Sequence, residues 1–337
     1  MAPRAKKEKG PVFGIPPDLQ IGEAADFLPL AGEVNWGVAA FAVDRLREVT
    51  DGKGMKVGIV DTGVDEDHPL LTNLAGAKDF TRSRSGSDDK NGHGSHCSGT
   101  TAGADPRIGV AFGAKFYHGK GLGDSGSGSG SGLVAAMDYC VENGCEVLSC
   151  SWGSGGEDPT ITAALKRYAE AGVWVVAAAG NSGPNTPDVD WPGRSEHCID
   201  VAALAPDLSP ASFTSAGAKI DTAGPGVDIW SARAGGGYVK MSGTSMATPF
   251  VAGLLTLYRG ALKLKALAIP TVYQLRENLF RSSVDTHTPG DDRRTGPGWV
   301  SPILLELGLT ADPPPVAAAP EVAGELDVGG GGPAEPE

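Results

Sequence analysis

Apolar runs alternate with amphipathic stretches along the middle of the chain. Three runs are almost continuously apolar, as is typical of strands covered on both faces: residues 55–60, 146–150 and 173–178. Residues 133–143 precede the second run and residues 160–171 precede the third, and both stretches favour helices; Pro159 suits a first helical turn. This order predicts one α/β domain with a mostly parallel sheet, helices on both faces and ligands at the carboxyl ends of the strands.

Both ends of the chain differ from the middle. Residues 1–35 are rich in Pro, Gly and charge with little periodicity, so we expect an extended leader or short propeptide there. Residues 311–337 contain too few apolar side chains to offset the entropy of ordering, which predicts a disordered Pro/Gly/Ala-rich tail. The folded domain is therefore expected at residues 36–310.

The chain has 337 residues, of which 40% are hydrophobic, and its formal net charge is -13. That length allows a sizeable core. The acidic balance argues against non-specific binding to nucleic acid or to an anionic membrane, because both require a basic surface. The short basic run at residues 4–9 is interpreted as a solvated terminus or, alternatively, as an address or nucleic-acid arm. The absence of a membrane-span or signal-peptide pattern favours a cytoplasmic location.

The five cysteines, an odd number, do not indicate a disulfide framework and favour a reducing compartment. Cys145 and Cys150 could form half of a zinc site, but no second pair with suitable spacing is present. Buried thiols are therefore expected.

Two separate segments offer an acid and a base. Asp61 directly follows the first apolar run and so stands at the carboxyl end of a predicted strand. His93 lies between two glycines in residues 91–97, where the backbone can pack closely around its ring. The same motif is compatible with a structural turn, and His93, His96 and Cys97 are compatible with a metal site, so these alternatives stay open at this point.

The strongest signal is the segment 242–249, which places Ser245 between a glycine-rich turn and an apolar helical run. A serine hydroxyl becomes nucleophilic beside a base, and the base needs a carboxylate to orient it, so Asp61, His93 and Ser245 are chemically complementary. Asn181 ends another predicted strand and offers an amide donor that can stabilise an oxyanion.

The chain order Asp61, His93, Ser245 and the motifs around these residues and Asn181 resemble those of the subtilisin-like serine proteases, the subtilase family. The similarity covers residues 36–309. It implies a three-layer subtilisin-like fold and a serine endopeptidase that forms an acyl-enzyme with protein or peptide substrates and needs no cofactor for the chemistry. Ser245 would attack the scissile carbonyl, His93 would transfer the proton and Asp61 would orient the imidazole. Asn181 and the Ser245 amide would hold the oxyanion.

A GxGxxG string at residues 121–126 could indicate a dinucleotide site, but it continues as Gly-Ser repeats and lacks the acidic ribose partner. The resemblance instead implies an edge strand that pairs with substrate, an opposite edge, and a pocket for the residue before the cut. The residues expected in these roles are Gly126, Ser127, Gly128, Ser151, Trp152, Gly153, Ala178, Ala179 and Gly180. Trp152 is alternatively a core aromatic.

Asp190 aligns with a turn at the base of that pocket. An unpaired carboxylate there would favour Lys or Arg before the cut. The alternative is a solvated carboxylate or one paired with Arg194, as is common for charges in loops.

The segment before residue 36 is too short for a signal peptide followed by a folded prodomain. It resembles the leader of the intracellular branch of the family, which lies across the cleft and is trimmed. The expected segment is residues 27–33, in which Pro29 would resist cleavage. A merely mobile terminus is the alternative.

Calcium stabilises many members of the family. Leu70 stands where many of them have a ligating aspartate, which argues against that site, whereas Asp221 matches a carboxylate that binds a cation in some members. A structural calcium at Asp221 is therefore weighed against a plain hydrogen-bonding role. Cys97 and Cys198 resemble the proteinase K branch, and Cys97 would make activity sensitive to bulky thiol reagents.

Two rival functions come from other classes. A catalytically silent subtilase would serve as a binding or scaffolding module, but the complete set of catalytic residues argues against it. A Ser-His-Asp hydrolase of esters would have a Gly-x-Ser-x-Gly elbow, which is absent around Ser245. The physiological substrate and the oligomeric state are not indicated by these patterns.

Overall fold

The computed structural model describes residues 11–15, 19–26 and 35–302. Its strands are β1 Phe13–Gly14, β2 Gln20–Ala25, β3 Lys56–Asp61, β4 Leu74–Asp79, β5 Lys115–Lys120, β6 Ser127–Gly128, β7 Val147–Cys150, β8 Trp174–Ala178, β9 Ile199–Leu204, β10 Thr222–Pro225, β11 Ile229–Ala232, β12 Tyr238–Ser242, β13 Ser283–Val284 and β14 Trp299–Val300. Its helices are α1 Trp36–Ala40, α2 Asp44–Arg47, α3 His93–Ala102, α4 Gly130–Glu142, α5 Pro159–Glu170, α6 Thr244–Leu264 and α7 Val272–Arg281, with a short 3₁₀ helix at Pro69–Leu71. The expected tail, residues 311–337, lies outside the described residues.

Within these ranges, nine strands form one sheet in the order β13-β14-β10-β9-β8-β7-β3-β5-β4. All neighbouring strands are parallel except the short β13 and β14 at one edge. Parallel neighbours require crossover connections, and helices such as α4 and α5 provide them. The predicted mostly parallel sheet is confirmed. No helix in the part of the chain described here has the length and hydrophobicity needed to cross a membrane.

Side chains of the central strands alternate between two hydrophobic cores. Val147 and Val176 belong to the core that contains the apolar residues of α6. Leu148 and Val175, their neighbours in sequence, belong to the core that contains those of α4 and α5. Successive side chains of a strand point to opposite faces of the sheet, so both faces are covered, which explains the continuously apolar runs and confirms the three-layer fold.

The predicted helices are present, with ends that differ by a few residues. α4 begins at Gly130, earlier than its apolar pattern indicates, because the Ser129 hydroxyl accepts a hydrogen bond from the Gly132 amide and caps the helix. α5 begins with Pro159, as predicted, and the Asp158 carboxylate caps it by accepting two amides of the first turn. Polar caps lie outside the hydrophobic pattern, so periodicity alone does not locate them.

Two smaller antiparallel sheets contain parts of the predicted leader. β11 and β12 form a hairpin, and β2 adds to it as a third strand. β1 pairs with β6, with Phe13 opposite Gly128 and Gly14 opposite Ser127. These pieces of residues 1–35 are therefore strands that pair with the folded domain.

All five cysteines lie in the described ranges, are buried and form no disulfide. Burial raises the pKa of the Cys97 thiol and raises that of Cys150 well above its ordinary value. Burial thus favours the neutral thiol at Cys97 and Cys150, which is typical of small apolar residues in a core.

Candidate active site

Asp61 and His93 form a buried hydrogen-bonded pair. β3 ends at Asp61 and α3 begins at His93, and His93 Nδ1 donates to Asp61 Oδ1 over 2.8 Å. Both side chains are fully buried. The Thr62 amide donates to the same carboxylate oxygen at 2.7 Å. Because Nδ1 carries the proton, Nε2 is left as the basic nitrogen.

The two glycines that flank His93 make this approach geometrically feasible. Gly92 caps α3 with φ of +94°, a conformation that residues with a Cβ rarely adopt. A Cβ on Gly94 would collide with the carbonyl oxygen of Gly63, so only glycine lets the first turn of α3 pack against the turn after β3. The helix start therefore lies close enough to bring the ring to Asp61.

The pair favours its ionised form. Burial opposes ionisation of Asp61, but the charge and hydrogen bond of His93 outweigh it and hold the pKa of the carboxyl below its usual value. Burial also opposes protonation of His93, yet Asp61 and Cys97 together raise the pKa of the imidazole well above 6.5. A base with a raised pKa takes up a proton readily, as a serine nucleophile requires.

Ser245 lies fully buried in the first turn of α6. Its Oγ donates to the carbonyl oxygen of Ser151 at 3.2 Å, and His93 Nε2 has no hydrogen-bond partner among the described residues. Cys97 connects the two, because its Sγ lies 3.4 Å from the Ser245 carbonyl oxygen and 3.7 Å from His93 Nδ1. The structure thus brings the three predicted catalytic residues together, with the hydroxyl turned toward Ser151. Catalytic hydrogen bonds often tighten only when substrate binds.

Pro249, inside α6, explains the contact with Cys97. A proline has no amide hydrogen, so the carbonyl oxygen of Ser245, four residues earlier, lacks its usual helical donor. The Cys97 thiol, at 3.4 Å, takes that place.

The side-chain amide of Asn181 is hydrogen-bonded through its oxygen, whereas its nitrogen has no partner among the described residues. Its Oδ1 accepts hydrogen bonds from the Thr244 amide at 3.0 Å and from the Thr244 hydroxyl at 2.8 Å. Its Nδ2 is buried and has no partner among the described residues. A Cβ built on Gly243 would lie 3.1 Å from Asn181 Nδ2 and 3.6 Å from the Ser245 amide nitrogen. Glycine at 243 therefore leaves a small space between two donors, where an oxyanion fits.

The predicted edges of the cleft flank an extended peptide, and that peptide is β1. Gly14 and Gly153 exchange two backbone hydrogen bonds of 3.1 Å each, and the Ile15 amide donates to the Gly126 carbonyl oxygen at 3.1 Å. The Gly126 contact extends the pairing of β1 with Ser127 and Gly128 of β6, so Gly153 and β6 lie on opposite sides of β1. Residues 126–128 and 153 thus bind backbone as the resemblance implied, and a piece of the leader lies between them.

Trp152 combines the two roles that the sequence left open. Its side chain is fully buried, and Nε1 donates to the Val60 carbonyl oxygen at 3.0 Å, as a core residue would. Its ring also contacts the ring of Phe13 edge-on, with centroids 5.6 Å apart. Phe13 is itself fully buried, so Trp152 supports the side chain bound in the cleft.

A second part of the leader lies near Ser245. β2 pairs with β12, which immediately precedes Gly243 and Ser245, and Leu19 approaches the space beside Gly243. Residues 27–33, with Pro29, lie outside the described residues, so that prediction is not tested. Within the described ranges, the leader residues that pair with the domain are 13–15 and 20–25, whose backbone groups match the free edges of β6 and β12.

Asp190 lies against the predicted pocket wall of Ala178, Ala179 and Gly180. A Cβ on Gly180 would lie 2.5 Å from Asp190 Oδ2, and one on Gly153 would lie 2.9 Å from Asp190 Cβ. The Asp190 amide donates to the Ala179 carbonyl oxygen at 2.9 Å. Its carboxylate has no hydrogen bond within the described ranges. Burial raises the pKa of Asp190, and Arg194 offsets only part of this effect.

Asp200 is a second acid that sequence reasoning missed. It is fully buried, and neither carboxylate oxygen has a hydrogen-bond partner among the described residues. It fills the space where a side chain on Gly193 would lie, close to the Ala178 carbonyl oxygen. Burial raises the pKa of Asp200 well above its ordinary value, although Lys219 opposes this. The available signal was a single aspartate inside the otherwise apolar run 199–204.

The structure does not fit a metal site formed by His93, His96 and Cys97, nor a calcium site at Asp221. His96 is turned away from His93, since its Nε2 donates to the Ile229 carbonyl oxygen at 2.8 Å. The grouping of metal-ligand atoms that does occur in the described part of the chain is Asp61, His93 and Cys97, and it includes the catalytic pair. At Asp221, protein donors already occupy both carboxylate oxygens, so the residues present do not fit calcium.

Comparison with known proteins agrees with this geometry. Residues 52–298 match the model of the subtilase family. The chain is 37% identical to M-protease of Shouchella clausii (strain KSM-K16) over 244 residues, which are 71% of this chain and 63% of that protein. It is 38% identical to subtilisin Savinase of Lederbergia lenta over 68% of this chain and 85% of the relative. It is 34% identical to an intracellular serine protease of Paenibacillus polymyxa over 67% and 73%, respectively. The chain therefore spans less than two thirds of the length of M-protease.

Proposed function

Because the chain belongs to the subtilase family, we propose that it is a serine endopeptidase that hydrolyses peptide bonds of proteins or peptides. The observation that carries the proposal is the buried Asp61–His93 pair, whose Nε2 is free and which Cys97 connects to the Ser245 backbone. A purely structural ion pair has no need of a serine at a helix N-terminus or of a spare amide donor next to it.

In the proposed reaction, the Ser245 side chain rotates and moves Oγ from the Ser151 carbonyl to His93 Nε2. Nε2 removes the hydroxyl proton as Oγ forms a bond to the scissile carbonyl carbon, and the carbonyl π electrons move to oxygen. Asp61 stabilises the resulting imidazolium. Asn181 Nδ2 and the Ser245 amide donate to the oxyanion.

The imidazolium then donates its proton to the leaving nitrogen as the carbon–nitrogen bond breaks, which leaves an acyl-enzyme on Ser245. His93 deprotonates a water molecule that attacks the ester, and the acid product leaves with the serine hydroxyl restored. The N-terminus of α6 favours negative charge at this point. No step of this scheme requires a cofactor.

The proposal includes a preference for Lys or Arg before the cut. Asp190 supports it, since its carboxylate borders Gly153 and Gly180 and makes no hydrogen bond with any described residue. Asp200, behind Gly193, adds a second unpaired acid in the same region. A cationic side chain would provide a counter-charge for Asp190 and would favour ionisation of Asp200, which burial otherwise opposes.

The proposal also includes latency of the full-length chain. β1 and β2 pair with opposite sides of the cleft, as parts of one bound peptide would. The sequence between them is Pro16-Pro17-Asp18, and a peptide bond to proline is a tertiary amide that lacks the usual amide hydrogen. The leader would therefore occupy the cleft without being cut there.

A catalytically silent binding module is the second candidate. The rotation of Ser245 toward Ser151 and the occupied cleft both favour it. The location also stays a prediction: a cytoplasmic enzyme would resemble the intracellular serine protease named above.

Hydrolysis of matched fluorogenic peptides with Arg, Leu or Phe before the cut tests the proposal. Wild-type protein is compared with Ser245→Ala and with protein treated with a serine-directed phosphonate. Cleavage that both treatments abolish supports the endopeptidase. Failure of every peptide to be cleaved, with a leader that has been displaced, would support the silent module.

Displacement of the leader is achieved with Phe13→Glu, which removes a fully buried anchor. Val12→Glu is the matched control, because Val12 is 70% exposed. We expect Phe13→Glu alone to raise the activity of the full-length chain. Equal activity in all three proteins would contradict latency.

A further inference from the structure

Three oxygen atoms surround the side-chain ammonium of Lys219 behind the substrate pocket. Nζ donates to the carbonyl oxygens of Gly193 at 3.1 Å and Cys198 at 3.0 Å, and to Asp221 Oδ2 at 2.5 Å. An ammonium has three hydrogens and no acceptor, so these contacts use all of its donors. The Lys219 side chain is only 15% exposed, which shields these bonds from water.

The Asp221 carboxylate is saturated as well. Besides Lys219, Oδ2 accepts the Asp200 amide at 2.8 Å, and Oδ1 accepts Arg276 Nε at 2.7 Å. Its side chain is 5% exposed. Calcium requires six to eight oxygen ligands at about 2.3–2.6 Å. Here two basic side chains, Lys219 and Arg276, already neutralise the Asp221 carboxylate.

The oxygens around Lys219 belong to two different parts of the chain. Gly193 and Cys198 lie in the loop between Asp190 and β9, and the Arg194 amide ties this loop back to the Asp190 carbonyl oxygen. Asp221 immediately precedes β10 in the sheet. Lys219 therefore fastens the pocket loop to the sheet.

We propose that the Lys219 ammonium replaces a structural metal ion, so that the pocket loop is held in place without calcium. Backbone carbonyls and a carboxylate are the ligands that hard cations prefer, and here a cation from the chain itself satisfies them. Lys219 is thus a positioning residue that acts on the substrate pocket through the loop that carries Asp190.

A specific consequence follows from this replacement. Removal of the ammonium leaves two carbonyl oxygens and the Asp221 carboxylate facing an empty space. An inorganic cation can then enter, so Lys219→Ala converts a metal-independent loop into a metal-dependent one. A lysine that served only as a surface charge would leave no such space.

Thermal unfolding tests the proposal in the Ser245→Ala background, which prevents autolysis. The parent and Lys219→Ala are each unfolded in EDTA and in millimolar CaCl2. We expect Lys219→Ala to lower Tm by about 5–10 °C in EDTA, since two carbonyl oxygens lose their charged donor and the buried Asp221 carboxylate loses one of its two basic partners. Calcium should restore at least half of that loss, and its effect on the parent should be clearly smaller. Titration calorimetry should detect one additional calcium site in the variant.

Lys56→Ala is the matched control, because exposed Lys56 also donates to a backbone carbonyl, that of Asn143 at 2.9 Å. It should show no additional response to calcium. If Lys219→Ala folds only when calcium is present, the proposal is supported. A variant as stable as the parent, or one whose loss calcium does not reverse, would overturn it.

A kinetic arm reports on positioning, and this arm alone rests on the proposed function. With Ser245 intact, Lys219→Ala in EDTA should raise KM for an Arg peptide about tenfold, with a smaller change for a Leu peptide, and calcium should restore it. A loss of folded enzyme would instead lower kcat equally for both peptides and would contradict a positioning role. Thermal unfolding and calorimetry do not depend on catalytic turnover. An inactive protein would therefore contradict the proposed function but would leave the test of Lys219 valid.

Discussion

The catalytic pair and the substrate pocket both contain buried acids, yet these acids differ in their partners. Asp61 accepts hydrogen bonds from His93 and from the Thr62 amide, so the fold itself compensates its charge. Asp190 and Asp200 have no hydrogen-bonded partner for their carboxyl groups in the described part of the chain. The pKa of Asp61 is held below its usual value, whereas burial raises the pKa of Asp190 and Asp200.

This difference matches the two proposed roles: Asp61 would orient the catalytic base, whereas Asp190 and Asp200 would bind a cationic side chain of the substrate. A charge that is compensated internally has one preferred geometry before substrate arrives, which suits a group that must orient a base. An uncompensated buried acid lowers the stability of the free protein and gains most from a cationic ligand. Substitutions of the two kinds of acid should therefore have different effects.

The largest contrast is expected between Asp61→Asn and Asp190→Asn. Asp61→Asn should lower kcat about 10⁴-fold for every peptide, because the amide no longer stabilises the imidazolium or fixes its tautomer. Asp190→Asn should leave kcat for a Leu peptide nearly unchanged. Steady-state kinetics with one peptide compares the two variants directly. If kcat of Asp61→Asn falls less than about tenfold, Asp61 does not have the proposed catalytic role.

Substitutions at the proposed oxyanion site should have the second largest effect on kcat. Asn181→Ala removes one donor and should lower kcat about 10²- to 10³-fold, the loss known for the corresponding donor of subtilisin. Gly243→Ala should produce a loss of similar size, because its Cβ would lie 3.1 Å from Asn181 Nδ2 and occupy the space of the oxyanion. Unchanged Tm in both variants is the control for folding. Normal turnover in either variant would place the oxyanion elsewhere.

The pocket acid should change selectivity by a smaller factor. Asp190→Asn should reduce the ratio of kcat/KM for Arg over Leu peptides about 10- to 100-fold, since a hydrogen bond to a charged group contributes about 1.5–3 kcal/mol. Asp200→Asn is the companion variant. Wild-type protein with no preference for Arg or Lys over Leu would contradict the recognition role of Asp190.

The mildest test varies pH. Because protonated His93 cannot accept the serine proton, kcat/KM for a Leu peptide should decrease as pH falls through the pKa of His93. That pKa is raised well above 6.5, so the decrease should occur above pH 6.5. Asp190, whose pKa is raised from 3.8, loses its charge as pH falls, so the Arg-to-Leu ratio should fall separately at lower pH. Both titrations come from one series of kcat/KM measurements. In Asp190→Asn, kcat/KM for the Leu peptide should still decrease at low pH, but the Arg-to-Leu ratio should no longer fall. If the ratio still falls in this variant, a group other than Asp190 causes the decrease.

The fold was accessible from the sequence, and so were the candidate catalytic residues, because the signals of both are local. Strands covered on both faces are continuously apolar, and the glycines around His93 and before Ser245 are required by close packing that any sequence reader can anticipate. The helix ends were less accessible, because they depend on polar caps such as Ser129 and Asp158.

The partners of each side chain were decided only by tertiary structure. The hydrogen bond from Ser245 to Ser151 joins residues 94 positions apart, and the pairing of β1 with β6 depends on which edges the fold leaves open. Asp221 was recognisable as a potential ligand, but the Lys219 ammonium that takes the place of a metal binds carbonyl oxygens from a second, separate segment, residues 193–198. The sequence by itself determined which groups are available for chemistry. The structure alone decided which charges are paired and which are left for a ligand, because compensation of a buried charge depends on distances of a few ångströms between remote residues.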